Sequence, residues 1–319
     1  MNVKQERRRR TKMKKHLALI LAVVMALTLL AGCGASSGTP SVGASSAPSA
    51  SAGKGAAAAS GDITADGSTA LQPLLEKAVD PFKAAKGFTG SVTINGGGSG
   101  TGLTDVAAGT VNIGNSDVTP EQAGKDGTGL VDHQVAVVAV GIAVSKDVAD
   151  SLASISKADL TAIFAGKLTD WNQVAGWKGA SLPIAVFYRK AGSGTRTLFE
   201  TYGTGTKLSD ADLGAFANFT KKESSGDLQT AIAGGKGAIG YETLPYCKDL
   251  KLLQLDGVDA SYDNVYTGKY PIWGFEHMYT KGEAAGAAKD FIDYVMSPDF
   301  AKTITDSGYG LSSKMTVSR

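Results

Sequence analysis

The chain has 319 residues, 43% of them hydrophobic, and a formal charge of +2. That charge divides into +7 over the first 32 residues and −5 over the rest, so the basic run reads as a targeting signal and no nucleic-acid partner is expected. Two cysteines, Cys33 and Cys247, and two histidines in the body, His133 and His277, leave little material for disulfides, metal centres or histidine-based catalysis.

The N-terminus predicts export. A basic head from Lys4 to Lys15 precedes an apolar stretch from Leu17 to Leu30, which is shorter than the ~20 residues a spanning helix needs. The run Leu30-Ala31-Gly32-Cys33 places a cysteine directly after small residues, the usual pattern of a bacterial lipoprotein signal. We therefore expect a signal peptide over 1–32, a lipid on Cys33, and a cell-membrane anchor outside the cytoplasm; the alternative is an uncleaved N-terminal anchor. Residues 33–61 form the expected tether, rich in Gly, Ala, Ser, Thr and Pro and too poor in apolar surface to fold. With Cys33 lipidated, Cys247 has no partner within the chain and reads as a buried structural thiol.

From Asp62 onward strand-like and helix-like pieces alternate, which predicts an α/β architecture. Leu71, Leu74, Leu75, Ala78, Val79 and Phe82 share one face of a helix. Ser91–Ile94 reads as a short strand. The unbroken apolar run Val135–Val144 reads as a strand buried on both faces. Ile184–Tyr188 is a further strand, with a helix beginning at Leu198. Leu228–Ala233 reads as helix, Ala238–Tyr241 as strand, and Phe291–Met296 as a late helix ahead of Ser297-Pro298.

Three segments are small-residue loops that open a helix: Asp66-Gly67-Ser68-Thr69-Ala70-Leu71, the glycine-rich stretch from Gly96 to Leu103, and Arg189 to Arg196 with Ser193-Gly194-Thr195 inside it. A helix N-terminus carries unpaired N–H groups and partial positive charge. Glycine lets an anion approach the backbone, and Ser or Thr adds hydroxyl donors, so each loop is half a cradle for an oxyanion. Taken singly, each is also an ordinary cap. Arg189, four residues before Ser193, adds a planar fork suited to an oxyanion.

Asp117, in Ile113-Gly114-Asn115-Ser116-Asp117, gives such a site a means of choosing. Monohydrogen phosphate keeps a proton near neutral pH, and a carboxylate can accept it. Against sulfate the same carboxylate meets only another acceptor, a mismatch of about 1–3 kcal/mol.

Other classes fit less well. Gly-x-Ser-x-Gly is absent around Ser99 and Ser193, and no His/Asp/Glu cluster has metal-ligand spacing, which argues against a serine hydrolase or a metallophosphatase. His133 and His277 read as structural. Gly235-Lys-Gly237-Ala-Ile-Gly240 satisfies Gly-x-Gly-x-x-Gly, but a helix precedes it and a strand follows, the reverse of a dinucleotide site.

Gly67-Ser-Thr-Ala-Leu-Gln-Pro73, Gly96-Gly-Gly-Ser-Gly-Thr-Gly102, Gly114-Asn-Ser-Asp117 and Arg189-x-x-x-Ser-Gly-Thr195, in this order, resemble the phosphate-binding component of high-affinity phosphate ABC transporters. Ile163-Phe164-Ala-Gly166, Trp171 and Gly237-Ala-Ile-Gly-Tyr241 add to the likeness. The resemblance implies a two-lobed periplasmic-binding-protein-like fold with a hinge and an interlobe cleft, and a monomeric, non-enzymatic receptor that hands phosphate to permease subunits. It implies crossings near Val140 and Tyr270, hence lobe I from 62–140 plus 270–319 and lobe II from 141–269. Carried over by motif, Thr69 and the backbone of Ala70 hold one face of the ion. Ser99 donates, Asp117 accepts the ligand proton, and Arg189, Ser193, Gly194 and Thr195 close from the other lobe. No cofactor and no metal are implied. Where some relatives have an acid two residues after the arginine, this chain has Ala191, so something else must orient Arg189; Ser224-Ser225 is a further candidate contact. Sulfate, molybdate or arsenate receptors, and a phosphate sensor or adhesin of the same fold, are the nearest alternatives.

Overall fold

The structure, a computed structural model, describes residues 61–319. The expected signal peptide, Cys33 and the tether up to residue 60 lie outside the described residues.

The strands are β1 (Ile63–Gly67), β2 (Val92–Asn95), β3 (Ile113–Ser116), β4 (Leu130–Val144), β5 (Ser154–Ile155), β6 (Ala185–Arg189), β7 (Phe219–Lys222), β8 (Ala238–Thr243), β9 (Lys251–Leu255) and β10 (Trp273–Lys281). The α-helices are α1 (Gln72–Lys86), α2 (Ser99–Ala108), α3 (Lys146–Ala149), α4 (Lys157–Phe164), α5 (Gly194–Leu198), α6 (Asp210–Gly214), α7 (Ser225–Gly234), α8 (Tyr262–Tyr266), α9 (Gly286–Val295) and α10 (Pro298–Asp306). They build a mixed α/β protein of two lobes.

The long strand β4 belongs to both lobes. Its residues Leu130 to Ala139 run antiparallel to β10, and Val140 to Val144 run antiparallel to β8. The sheet order is β2-β1-β3-β10-β4 on one side and β4-β8-β6-β7 on the other, with β9 beside β4. β1, β2 and β3 are mutually parallel, as are β6, β7 and β8. Parallel strands need helices over their faces, so each half carries its own apolar layer. Where β4 passes from one half to the other, the Val140 N–H donates to the Ile272 carbonyl (2.9 Å) and the Tyr270 hydroxyl donates to the Val140 carbonyl (2.7 Å).

In the first half, the α1 stripe Leu74, Leu75, Ala78 and Phe82 is fully buried, and Val79 is half-buried. Phe82 meets Phe291 of α9 edge-on, with ring centroids 5.2 Å apart. In the second half, Tyr241 of β8 stacks on Phe199 at 4.1 Å and Phe164 of α4 packs beside both. The apolar run Val135–Val144 is buried throughout, as its composition implies. The strand nevertheless starts earlier, at Leu130, because the preceding residues pair with β10 while leaving their side chains partly in solvent.

Two helices also start earlier than their apolar spacing suggests. The helix expected from Leu198 begins at Gly194, because the Arg196 N–H donates to Ser193 Oγ at 3.2 Å, and it continues as a π-helix over Phe199–Thr204. The helix expected from Leu228 begins at Ser225, because the Asp227 N–H donates to Ser224 Oγ at 3.1 Å. Apolar periodicity marks the packed face of a helix, whereas these first turns are built from small polar residues that face the cleft. Gly235 to Gly240 follows α7 and leads into β8, the helix-then-strand order expected.

Cys247 is a buried free thiol set against the Thr243 carbonyl at 3.3 Å. His277 Nδ1 sits 2.8 Å from Asp132 Oδ1, and His133 Nε2 sits 3.2 Å from Thr280 Oγ1. No helix among the described residues is long and apolar enough to cross a membrane.

Candidate functional site

The cleft is built from five chain segments, three from the first lobe and two from the second. From the first lobe come the β1–α1 turn, the segment after β2 that opens α2 and, as a further segment, Asp117 just after β3. The second lobe supplies the β6–α5 turn and the start of α7.

Ser68 organises the first turn. Its Oγ accepts the N–H groups of Ala70 and Leu71, both at 3.0 Å, and its own proton goes to Asp117 Oδ1. Next to it, Thr69 Oγ1 accepts from Arg189 Nη2 (3.0 Å) and from the Ser225 N–H (3.3 Å). Ala70 departs from expectation in one respect. Its N–H is already given to Ser68 Oγ, so an anion can take it only as the shared arm of a bifurcated bond.

Ser99, at the start of α2, accepts the Asp117 N–H on its Oγ at 3.0 Å. Ser193 accepts the Arg196 N–H in the same way. Both serines are about 98–99% buried, being 1% and 2% exposed, and each still has its hydroxyl proton to give. At the opening of α5, Ser193 serves Arg196 and leaves the Gly194 and Thr195 N–H groups without a partner among the described residues. Thr195 Oγ1 donates to Asp117 Oδ2 at 2.8 Å.

Arg189 ends β6 and is held by both its main chain and its side chain. Its N–H donates to Tyr241 Oη and its carbonyl accepts from Arg196 Nη1, each at 3.0 Å. Arg196 is itself buried and paired with Glu200 (2.8 Å) and Asp210. The Arg189 guanidinium reaches Ser225 Oγ (2.8 Å), Thr69 Oγ1 (3.0 Å) and the Glu223 carbonyl (3.4 Å). Hydroxyls and a carbonyl therefore take the place of the acid absent at Ala191, which is exposed. Arg189 Nε is buried and has no partner among the described residues. An unpaired buried donor of a cation calls for an acceptor.

The lobes approach closely because glycine leaves room. The Gly100 N–H donates to the Gly192 carbonyl at 2.9 Å across the cleft, and Gly192 has φ +83°, a conformation that suits glycine. A Cβ on Gly194 would lie 2.8 Å from Asp117 Cβ.

Two further carboxyls sit behind this site, Glu242 on β8 and Glu276 on β10, both fully buried. Burial pushes Glu242 up to about 8, against the pull of the Arg189 charge and of the Thr243 donors. Burial first, and then the neighbouring Asp117, hold Glu276 well above the usual carboxylate range.

The structure thus brings Thr69, Ser99, Asp117, Arg189, Ser193, Gly194 and Thr195 to one cleft. Sequence reasoning did not single out Ser68, Glu242, Glu276 or Arg196. Ser68 and Arg196 lie inside the small-residue loops that open helices, while Glu242 and Glu276 carry no local signal. Of the Ser224-Ser225 pair, Ser225 reaches the cleft and Ser224 caps α7.

Comparison with known proteins agrees with this architecture. Residues 52–299 match the model of a PBP superfamily domain. The chain is 40% identical over 310 residues to the phosphate-binding protein PstS of Bacillus subtilis, covering 96% of this chain and 97% of that one. It is 34% identical over 144 residues to PstS 2 of Streptococcus pneumoniae, covering 43% of this chain and 49% of that one. Among solved structures, a Clostridium perfringens protein named as a phosphate ABC transporter substrate-binding protein, with phosphate bound, superposes with a TM-score of 0.68. It shares 25% identity, over 79% of this chain and 99% of that one. A Vibrio cholerae ABC-type phosphate transport receptor shares the fold, with a TM-score of 0.62 at 24% identity over 78% and 99% of the two chains. The chain belongs to the PBP superfamily and, within it, to the PstS family of phosphate-binding proteins.

Proposed function

We propose that this chain binds inorganic phosphate between its lobes as the extracytoplasmic receptor of a phosphate ABC transporter. It is a transport receptor and not an enzyme. The observation that carries the reading is a division of labour in the cleft. Asp117 offers a carboxylate acceptor, while Ser99, Ser193, Arg189 Nε and the first N–H groups of α5 offer donors. Donors surrounding one acceptor match an oxyanion that still carries a proton. Thr69, Ala70, Ser99, Asp117, Arg189, Ser193, Gly194 and Thr195 are the proposed ligand contacts, with Ser225 as a second support for Arg189.

Binding proceeds without covalent chemistry. Phosphate meets the β1–α1 and α2 donors of the open cleft, and closure adds those of α5. The bonds from Thr195 to Asp117 and from Gly100 to Gly192 form only when the lobes meet, so ligand and closure stabilise one another. We place the crossings near Val140 and Tyr270, with lobe I from 62–140 plus 270–319 and lobe II from 141–269. The lipid on Cys33 and the tether to residue 61 keep a monomeric receptor beside its permease subunits and raise its effective concentration there.

Titration calorimetry with phosphate, arsenate, sulfate and molybdate tests this function. Phosphate and arsenate are expected to bind, and sulfate and molybdate to bind at least tenfold more weakly. Tighter binding of sulfate or molybdate would make the chain a receptor for a fully ionised oxyanion instead.

A further inference from the structure

Glu276 stands directly behind Asp117 and has no role in the contacts described so far. It lies on β10 opposite Ala136 of β4, whereas the next residue, His277, lies opposite Gln134. Val135 of β4 is therefore the extra residue of a bulge, a device that re-aims neighbouring side chains. His277 turns to Asp132 on one face of the strand, and Glu276 turns inward. Two residues earlier on the inward face, a Cβ on Gly274 would lie 3.0 Å from the Asp117 carbonyl, which places this stretch of β10 against the Asp117 backbone.

None of the described residues donates a hydrogen bond to Glu276. It is fully buried, and neither carboxyl oxygen accepts a hydrogen bond from the described residues. Two tyrosines come near, Tyr262 of α8 and Tyr309. Both spend their protons elsewhere: Tyr262 donates to the Gly308 carbonyl at 2.7 Å, and Tyr309 donates to the Ala70 carbonyl. The Asp117 carboxyl is a further neighbour, and it adds to burial in holding Glu276 well above the usual carboxylate range.

Two neighbouring carboxyls in a dry site do not both ionise readily. The donors decide which one keeps the proton. Asp117 already accepts the hydroxyls of Ser68 and Thr195, whereas Glu276 accepts none. An ionised Glu276 would be a buried charge with no partner, whereas a protonated one has an acceptor in front of it.

We propose that Glu276 is a specificity-determining positioning residue: as a carboxylic acid it donates a hydrogen bond to Asp117 and leaves that carboxylate a single acceptor direction, aimed at the proton of the ligand. The two oxygens of Asp117 offer about four lone-pair sites. Ser68, Thr195 and Glu276 occupy three, and the phosphate hydroxyl takes the fourth. Without Glu276 the Asp117 carboxylate loses a support and can turn, so the cleft keeps its donors but reads the ligand proton less sharply.

This inference rests on the cleft being the phosphate site, and the experiment separates the two. Phosphate titration of the wild type tests the site alone. Infrared difference spectra of the ligand-free wild type against Glu276→Gln test the proton on Glu276 with no ligand present. A protonated-carboxyl band is expected in the wild type, lost in Glu276→Gln and shifted in Asp117→Asn. In calorimetry, Glu276→Gln keeps a donor and is expected to hold phosphate within about threefold of the wild type with its rejection of sulfate intact. Glu276→Leu is expected to weaken phosphate at least tenfold and to lower the phosphate-to-sulfate ratio, while its melting temperature stays near that of the wild type. A merely structural role would move the melting temperature and leave the ratio alone. If Glu276→Leu does not fold, the band and its shift in Asp117→Asn decide. Absence of the band, a Glu276→Leu protein as selective as the wild type, or a Glu276→Gln protein as impaired as Glu276→Leu overturns the proposal.

Discussion

Thr195 Oγ1 donates to Asp117 Oδ2 at 2.8 Å, so a hydroxyl from the second lobe binds the carboxylate of the first. The same bond fixes an oxygen of the one acidic group in the cleft that is surrounded by donors. On the proposed function, closure and the choice of ligand would therefore depend on a shared group.

Asp117→Asn replaces one acceptor oxygen by a donor amide. Phosphate then loses the acceptor for its proton, and sulfate gains a donor. The phosphate-to-sulfate affinity ratio is expected to fall at least tenfold, on the basis of about 1–3 kcal/mol for the mismatch it removes. Competition calorimetry reads the ratio, and an unchanged value would refute the proton-reading role.

Arg189→Ala removes a cation whose Nη groups are tied to Ser225 and Thr69 and whose Nε is unpaired. Phosphate affinity is expected to drop at least tenfold, from roughly 1.5–3 kcal/mol for a hydrogen bond to a charged group. Arg189→Lys is expected to recover only part of that, since an ammonium cannot engage both hydroxyls and the ion as a planar fork does. Dissociation constants of the three proteins check this; equal values would take Arg189 out of the site.

Gly194→Ala puts a methyl 2.8 Å from Asp117 Cβ, where the lobes must meet. The ligand-free protein is expected to melt near the wild-type temperature, because the open cleft has room. Phosphate should bind at least tenfold more weakly, and the compaction seen by small-angle scattering on adding phosphate should shrink. Normal compaction would show that the methyl is accommodated.

Glu242 links stability to pH. Burial raises its pKa in the fold to about 8, from the ordinary 4.5 of a free glutamate side chain. Between those values the folded chain holds a proton that the unfolded chain has released. Stability is thus fully present below about 4.5 and is lost as pH rises toward 8. Glu242→Gln removes this linkage. Urea denaturation is expected to show the variant gaining on the wild type from pH 5 to pH 9, by on the order of 4 kcal/mol. Parallel pH profiles would exclude Glu242 as the source.

Much of the scaffold was legible in the linear chain. The run Val135–Val144 lacks polar residues, and such a run is buried on both faces wherever it lies. The α1 stripe from Leu71 to Phe82 follows helical spacing, and the Ser-Gly-Thr and glycine-rich loops carry the chemistry of helix caps. All of these are short-range properties, set within a turn or two of the residue concerned.

What only the tertiary structure decided is which of these residues meet. Inserting β10 between β3 and β4 carries Glu276 to the back of Asp117, and the meeting of the two halves sets Ser225 beside Thr69 across 156 positions of sequence. Local spacing cannot encode such encounters, because strand order follows from burying two apolar layers at once. Ser68 shows the limit most plainly. In sequence it is one more capping serine, and only the fold places its proton on Asp117.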